Sequence, residues 1–138
     1  MKNKNGFTLV ELLGVIVILG LVSTIGFAAY NRYLKYSQDK TFKMEEQNIA
    51  VDVQNAIIDC MQGNKIEFCK NHKDIASKED EKVYLQELID DNFSSKVKNP
   101  YNPNEQCNAV DSYVIVRKNR KSYDVCLICG DKKSDTCE

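Results

Sequence analysis

The chain has 138 residues, 19 Lys and Arg against 20 Asp and Glu, and a mean hydropathy of −0.43. A formal net charge of −1 argues against a dedicated nucleic-acid binder, whose phosphate contacts call for a strongly basic surface. The length leaves room for one small domain beside any membrane segment.

The first predicted element is apolar. From Phe7 to Ala29 the only ionisable side chain is Glu11. As a helix rising about 1.5 Å per residue this run covers about 34 Å, enough to cross a hydrocarbon core of about 30 Å. A secretory signal peptide has a shorter apolar core and ends in a small-residue cleavage site, so the run reads as a membrane-spanning helix. An unpaired acid inside it costs a few kcal/mol, which makes Glu11 a functional-site candidate. The plainer reading is an acid tolerated at a helix start, where the macrodipole favours negative charge.

The string Gly6-Phe7-Thr8-Leu9-Val10-Glu11-Leu12-Leu13, behind a leader carrying Lys2 and Lys4, resembles the processing site of type IV prepilins and pseudopilins. The resemblance covers about the first 30 residues. It implies cleavage after Gly6 by a membrane prepilin peptidase, methylation of the new amine on Phe7, and packing into a helical filament on a membrane assembly platform. A glycine suits the cut because a residue without Cβ lets the backbone approach a protease closely. In a staggered array the Glu11 carboxylate of one subunit would meet the Phe7 ammonium of the next, and in a dry setting that pairing helps set the register. Along a regular helix Phe7 and Glu11 lie about 6 Å apart. Lys2 and Lys4 precede the helix whereas Arg32, Lys35, Lys40 and Lys43 follow it, so the resemblance and not the charge rule places the N-terminus in the cytoplasm.

Beyond the apolar run, Tyr30 to Met61 contains neither Pro nor Gly. Tyr30, Tyr33, Leu34, Ala50, Val53, Ile57 and Met61 keep helical spacing, and Arg32, Lys35, Asp39, Lys43 and Glu46 suit a wet face. The spacing predicts one helix that continues to about Met61 and ends at Gly63. Many members of the resembling family carry a proline near the end of the apolar stretch; here the first is Pro100.

Next, Ser77-Lys78-Glu79-Asp80 ahead of Val83, Tyr84, Leu85, Leu88 and Ile89 predicts a capped short helix to about Asp91, with Glu79, Asp80 and Glu81 as favourable first-turn charge. Pro100 and Pro103 make Asn99 to Gln106 a loop. The runs from Ser112 to Arg117 and from Ser122 to Ile128 predict a β-hairpin. Such a hairpin is marginal alone and needs the amphipathic face of the long helix, with a further short strand, to pack on. The segment from Tyr84 to Asp131 also resembles small pilin heads of Gram-positive bacteria. The expected fold is therefore α+β, a long N-terminal helix packed against a small antiparallel β head stapled by disulfides. Its parts are a leader at 1–6, a membrane and assembly helix at 7–29, an amphipathic half at 30–62 and a head at 63–138.

All six cysteines follow the membrane run and are even in number, which fits disulfides in an oxidising exterior. Centring the hairpin on Asn119-Arg120 puts Cys107 off the strand end opposite Cys129 and so pairs them. Cys60 with Cys69 would tie the long helix to the next loop, leaving Cys126 with Cys137. Zinc is the alternative, since Cys126-x-x-Cys129 and Cys69-x-x-His72 have ligand-like spacing; against it, Cys126 and Cys129 fall in a predicted strand whose successive side chains alternate faces. His72 then reads as an exposed loop residue.

Arg117, Lys118, Arg120 and Lys121 make a basic hairpin tip that could touch DNA phosphates or simply be solvated. Asp131, Asp135 and Glu138 resemble the calcium loops of some pseudopilins but lack a regular ligand spacing. The expectation is no cofactor, with calcium and zinc as alternatives. No nucleophile has an identifiable base, which argues against an enzyme. Two functions stay open. One is a structural subunit of a type IV pilus or of a secretion or competence pseudopilus, held in the cytoplasmic membrane and then in a surface filament. The other is a membrane-tethered extracellular binding module whose cysteine-clamped head takes DNA or a protein.

Overall fold

A computed structural model of the chain describes residues 6–73, 75, 79–117 and 122–137. The architecture is α+β, with a long N-terminal helix α1 (Leu9–Met61) and a small antiparallel sheet. After α1 come α2 (Glu67–Asn71), β1 (Glu81–Tyr84), α3 (Leu85–Asp90), β2 (Tyr113–Val116), β3 (Tyr123–Cys126), β4 (Ile128–Cys129) and β5 (Lys132–Lys133). The chain divides into two compact units that meet between Ser37 and Gln38.

The first unit is the apolar part of α1. Leu9 through Phe27 keep their large hydrophobic side chains exposed, the behaviour of a helix whose solvent is lipid or other helices. Among the described residues one helix, α1, is long and apolar enough to cross a membrane. A Cβ added at Gly14, Gly20 or Gly26 would meet nothing within 4 Å, so packing inside the first unit does not demand glycine there.

The second unit holds the core. Phe42, Ile49, Val53, Ala56 and Ile57 of α1 are buried in one cluster with Phe68, Val83, Leu85, Leu88, Val114, Val116, Val125 and Leu127. The spacing anticipated Val53 and Ile57 and missed Phe42, Ile49 and Ala56, because the buried face follows where the sheet lies. Tyr30 and Met61, expected on the apolar face, are exposed. The helix ends where Gly63 adopts φ +91°, a conformation that residues with Cβ rarely reach.

The sheet has the order β1-β2-β3, all antiparallel. Its register pairs Val83 with Val114 and Val114 with Val125, a row of three valines that faces the core. The hairpin pairing of Val116 with Tyr123 centres the turn between Asn119 and Arg120, whose own residues lie outside the description. On the opposite face Tyr84 and Tyr113 meet edge to face, with the Lys82 ammonium 3.8 Å over the Tyr113 ring.

Three expectations need correction. The helix proposed from Ser77 to Asp91 is instead the strand β1 followed by the single-turn-plus helix α3; Ser77 and Lys78 lie outside the described residues. The helical spacing of Val83, Leu85 and Leu88 is shared between two elements, and β1 forms because Glu81–Tyr84 finds the free edge of β2. Asp80 and Glu81 are therefore not first-turn charge: Asp80 pairs with Arg117 and Glu81 with His72. The strand read as continuing to Ile128 breaks at Leu127, whose N–H donates to the Ser134 hydroxyl at 2.8 Å, and Ile128–Cys129 pairs with Lys132–Lys133 in a separate ladder.

The loop at 99–106 is held by its own backbone, Asn99 N–H to Glu105 carbonyl at 3.0 Å and Cys107 N–H to Val97 carbonyl at 2.8 Å.

Candidate functional site

Helix α1 begins at Leu9, and Thr8 precedes it as the N-cap. The Thr8 N–H and the Thr8 hydroxyl each donate to Glu11 Oε2 at 2.8 Å, and the Glu11 N–H donates to Thr8 Oγ1 at 3.3 Å. The first helical backbone bond runs from Leu12 N–H to the Thr8 carbonyl at 3.2 Å. This is a reciprocal capping box in which the N-cap hydroxyl and the third-residue carboxylate satisfy each other's backbone donors. Its sequence signature is Thr8-x-x-Glu11 directly before an apolar run, a pattern distinct from that of an isolated membrane acid.

The cap fixes what the carboxylate can do. Oε2 accepts both bonds from Thr8, while Oε1 accepts none among the described residues. Glu11 thus closes its own helix start with one oxygen and offers the other outward, at the positive end of the α1 dipole. Phe7 is not helical, so the separation of about 6 Å along a regular helix does not apply; it lies before the cap and is 83% exposed. The Gly6–Phe7 bond sits outside any helix or strand, and a Cβ at Gly6 would meet nothing within 4 Å.

The cysteines lie in three bridges, Cys60–Cys69, Cys107–Cys129 and Cys126–Cys137, with no free cysteine among the described residues. The first ties the end of α1 to α2, the second ties the loop after Val97 to β4, and the third fastens the C-terminal segment to β3. Every cysteine in the zinc-like spacings is thereby occupied. Among the described residues no three His, Cys, Asp or Glu side chains come together to hold a metal, and Asp131 and Asp135 stand exposed; Glu138 lies outside the description.

His72 is not an exposed loop residue. It is 8% exposed, its ring centroid 4.7 Å from that of Phe68, with Nδ1 2.5 Å from Glu81 Oε1 and Nε2 3.3 Å from Glu87 Oε2. No sequence signal foretold this, because its partners come from β1 and α3. Of the basic tip, Arg117 is engaged: its Nη1 donates to Asp80 at 2.8 Å and its Nε to Asp124 at 2.6 Å. Hydrogen bonds to those two carboxylates, Asp80 first, hold its proton more firmly than usual. Lys118, Arg120 and Lys121 lie outside the described residues.

A cleft of about 630 Å³ opens in the second unit between α1, Tyr101, Tyr123 and the C-terminal residues Lys132 to Thr136. Its lining mixes Lys43, Lys132 and Lys133 with Asp39, Glu46 and Asp135.

A family model described as the prokaryotic N-terminal methylation motif matches residues 1–27, and this motif is the type IV prepilin signature. No curated protein and no solved structure matches the chain.

Proposed function

We propose that the chain is the precursor of a filament subunit, cut between Gly6 and Phe7, methylated on the Phe7 amine and polymerised through α1 into a type IV pilus or a secretion or competence pseudopilus. The motif over residues 1–27 indicates a type IV pilin-like or pseudopilin subunit, a structural role rather than an enzymatic class. The apolar helix and the motif together support membrane anchoring before assembly.

The observation that carries the reading is the Glu11 carboxylate, capped on one oxygen and open on the other, beside an exposed residue that becomes the N-terminus on cleavage. In a staggered array the open oxygen suits a neighbour's ammonium, and desolvation makes the loss of either partner costly.

Co-expression with a prepilin peptidase and mass analysis of the N-terminal peptide tests the processing step. The expected product starts at Phe7 and carries one added methyl group; a peptide that keeps Met1 to Gly6 in the presence of active peptidase would overturn the proposal.

A further inference from the structure

The helix segment from Tyr30 to Tyr36 follows directly on the apolar run. Leu9 to Ala29 covers about 30 Å at the helical rise, which matches the hydrocarbon core, and the polar layer on each side adds about 5–8 Å. A further seven residues, about 10 Å, carry the helix through that layer. In this stretch Tyr30, Tyr33 and Tyr36 are 59%, 69% and 65% exposed. Steps of three residues spread them over an arc of about 120°; at about 100° per residue Arg32 flanks that arc about 40° beyond Tyr36, and Lys35 lies nearly opposite its centre. Among the described residues none of these five side chains makes a hydrogen bond, ion pair or ring contact.

A phenol ring with a polar tip is well solvated where acyl chains meet headgroups, and tyrosine is enriched at that depth. Cations at the same depth gain attraction to anionic headgroups, worth about 1 kcal/mol per Lys or Arg near the surface. We propose that Tyr30, Tyr33 and Tyr36, with Arg32 and Lys35, form an interfacial collar that binds the anionic phospholipid headgroups of the leaflet from which α1 leads on to the disulfide-bonded unit. The occupant follows from continuity with the membrane-length surface immediately before it and from the charge of the two cations. The collar fixes the depth at which the subunit waits in the membrane, and removing the subunit from the bilayer has to strip it. The inference rests on the membrane reading of α1.

The chain contains no tryptophan, so a single introduced indole reports without background. Full-length Tyr33→Trp, Val17→Trp and Val110→Trp proteins would be reconstituted in vesicles of phosphatidylcholine, with and without phosphatidylglycerol, and probed with brominated lipids and aqueous acrylamide. The Tyr33→Trp reporter should be quenched by bromine placed near the glycerol. Phosphatidylglycerol should shift its emission to the blue and shield it from acrylamide, and adding Arg32→Gln and Lys35→Gln should abolish that shift. A Tyr33→Trp reporter that behaves like the exposed Val110→Trp reporter, or a response to phosphatidylglycerol that is absent or survives loss of both cations, would overturn the collar. Failure of deep bromine to quench the Val17→Trp reporter would overturn the membrane reading itself, which separates the two.

Discussion

The Tyr101 hydroxyl donates to Asp39 Oδ1 at 2.7 Å, joining a loop to a helix residue 62 positions earlier. The contact marks the first turn of α1 inside the second unit, and the Tyr101 ring also tilts against Phe42 with centroids 5.9 Å apart. Burial first, then the hydrogen bond to Asp39 and the charges of Asp39 and Glu46, push the phenol up to about 12.

A definite pH dependence follows. The folded state holds the phenol proton more tightly than the unfolded chain, whose tyrosine titrates near about 10. The stabilisation is therefore fully present below about pH 10 and is lost as pH rises through about 12. Tyr101→Phe should cost about 1 kcal/mol at neutral pH, and its deficit should shrink over that window. Thermal melts of both proteins across alkaline pH check this; a constant difference would refute the linkage.

His72 yields a second prediction, through its unequal contacts. Glu81 approaches at 2.5 Å and Glu87 at 3.3 Å, so the ring is bound more closely to β1 than to α3. His72→Leu should destabilise the second unit by about 1–2 kcal/mol, limited because both carboxylates retain access to water. In double-mutant cycles measured by chemical denaturation, the coupling of His72 to Glu81 should exceed its coupling to Glu87. Equal couplings would contradict the geometry.

These cases mark where the sequence was legible. The long helix was plain from its period and from the missing Pro and Gly between Tyr30 and Met61, and the hairpin register followed from two β-rich runs around Asn119 and Arg120. β1 was hidden because Glu81–Tyr84 buries a single residue, Val83, so it carries no alternating pattern of its own and merges with the helical spacing of α3. His72 was opaque for a related reason: its burial depends on carboxylates 9 and 15 residues away that only the β1–α3 corner brings together. Among the site residues, Glu11 is conspicuous by charge, while its bond to Thr8 is written in a four-residue signature, Thr8-x-x-Glu11, that charge does not reveal.

The bridges should differ in weight. Cys107–Cys129 closes the longest loop, with a sequence separation of 22 against 11 and 9 for the others, and both its residues are buried. The chain-entropy model gives about 3 kcal/mol for each, largest for this one. Cys107→Ala with Cys129→Ala also removes core volume, so this pair should lower the denaturation midpoint more than Cys60→Ala with Cys69→Ala. The reverse order would show that the short bridge at the end of α1 matters more than loop length predicts.

The capping box allows the two roles of Glu11 to be separated. Glu11→Gln keeps a side chain able to accept from the Thr8 N–H, because glutamine serves at this position of a capping box, but it removes the charge. Thr8→Val does the opposite, deleting the hydroxyl at a cost of about 1 kcal/mol in the first turn while leaving the carboxylate in place. If the carboxylate acts by pairing with a neighbour's Phe7 ammonium, Glu11→Gln should be processed and inserted normally yet yield few filaments, and Thr8→Val should assemble at close to the normal level. If the cap is what assembly requires, the ranking inverts. Filament yield by shearing and electron microscopy, set beside N-terminal processing in the same cells, reads both outcomes directly.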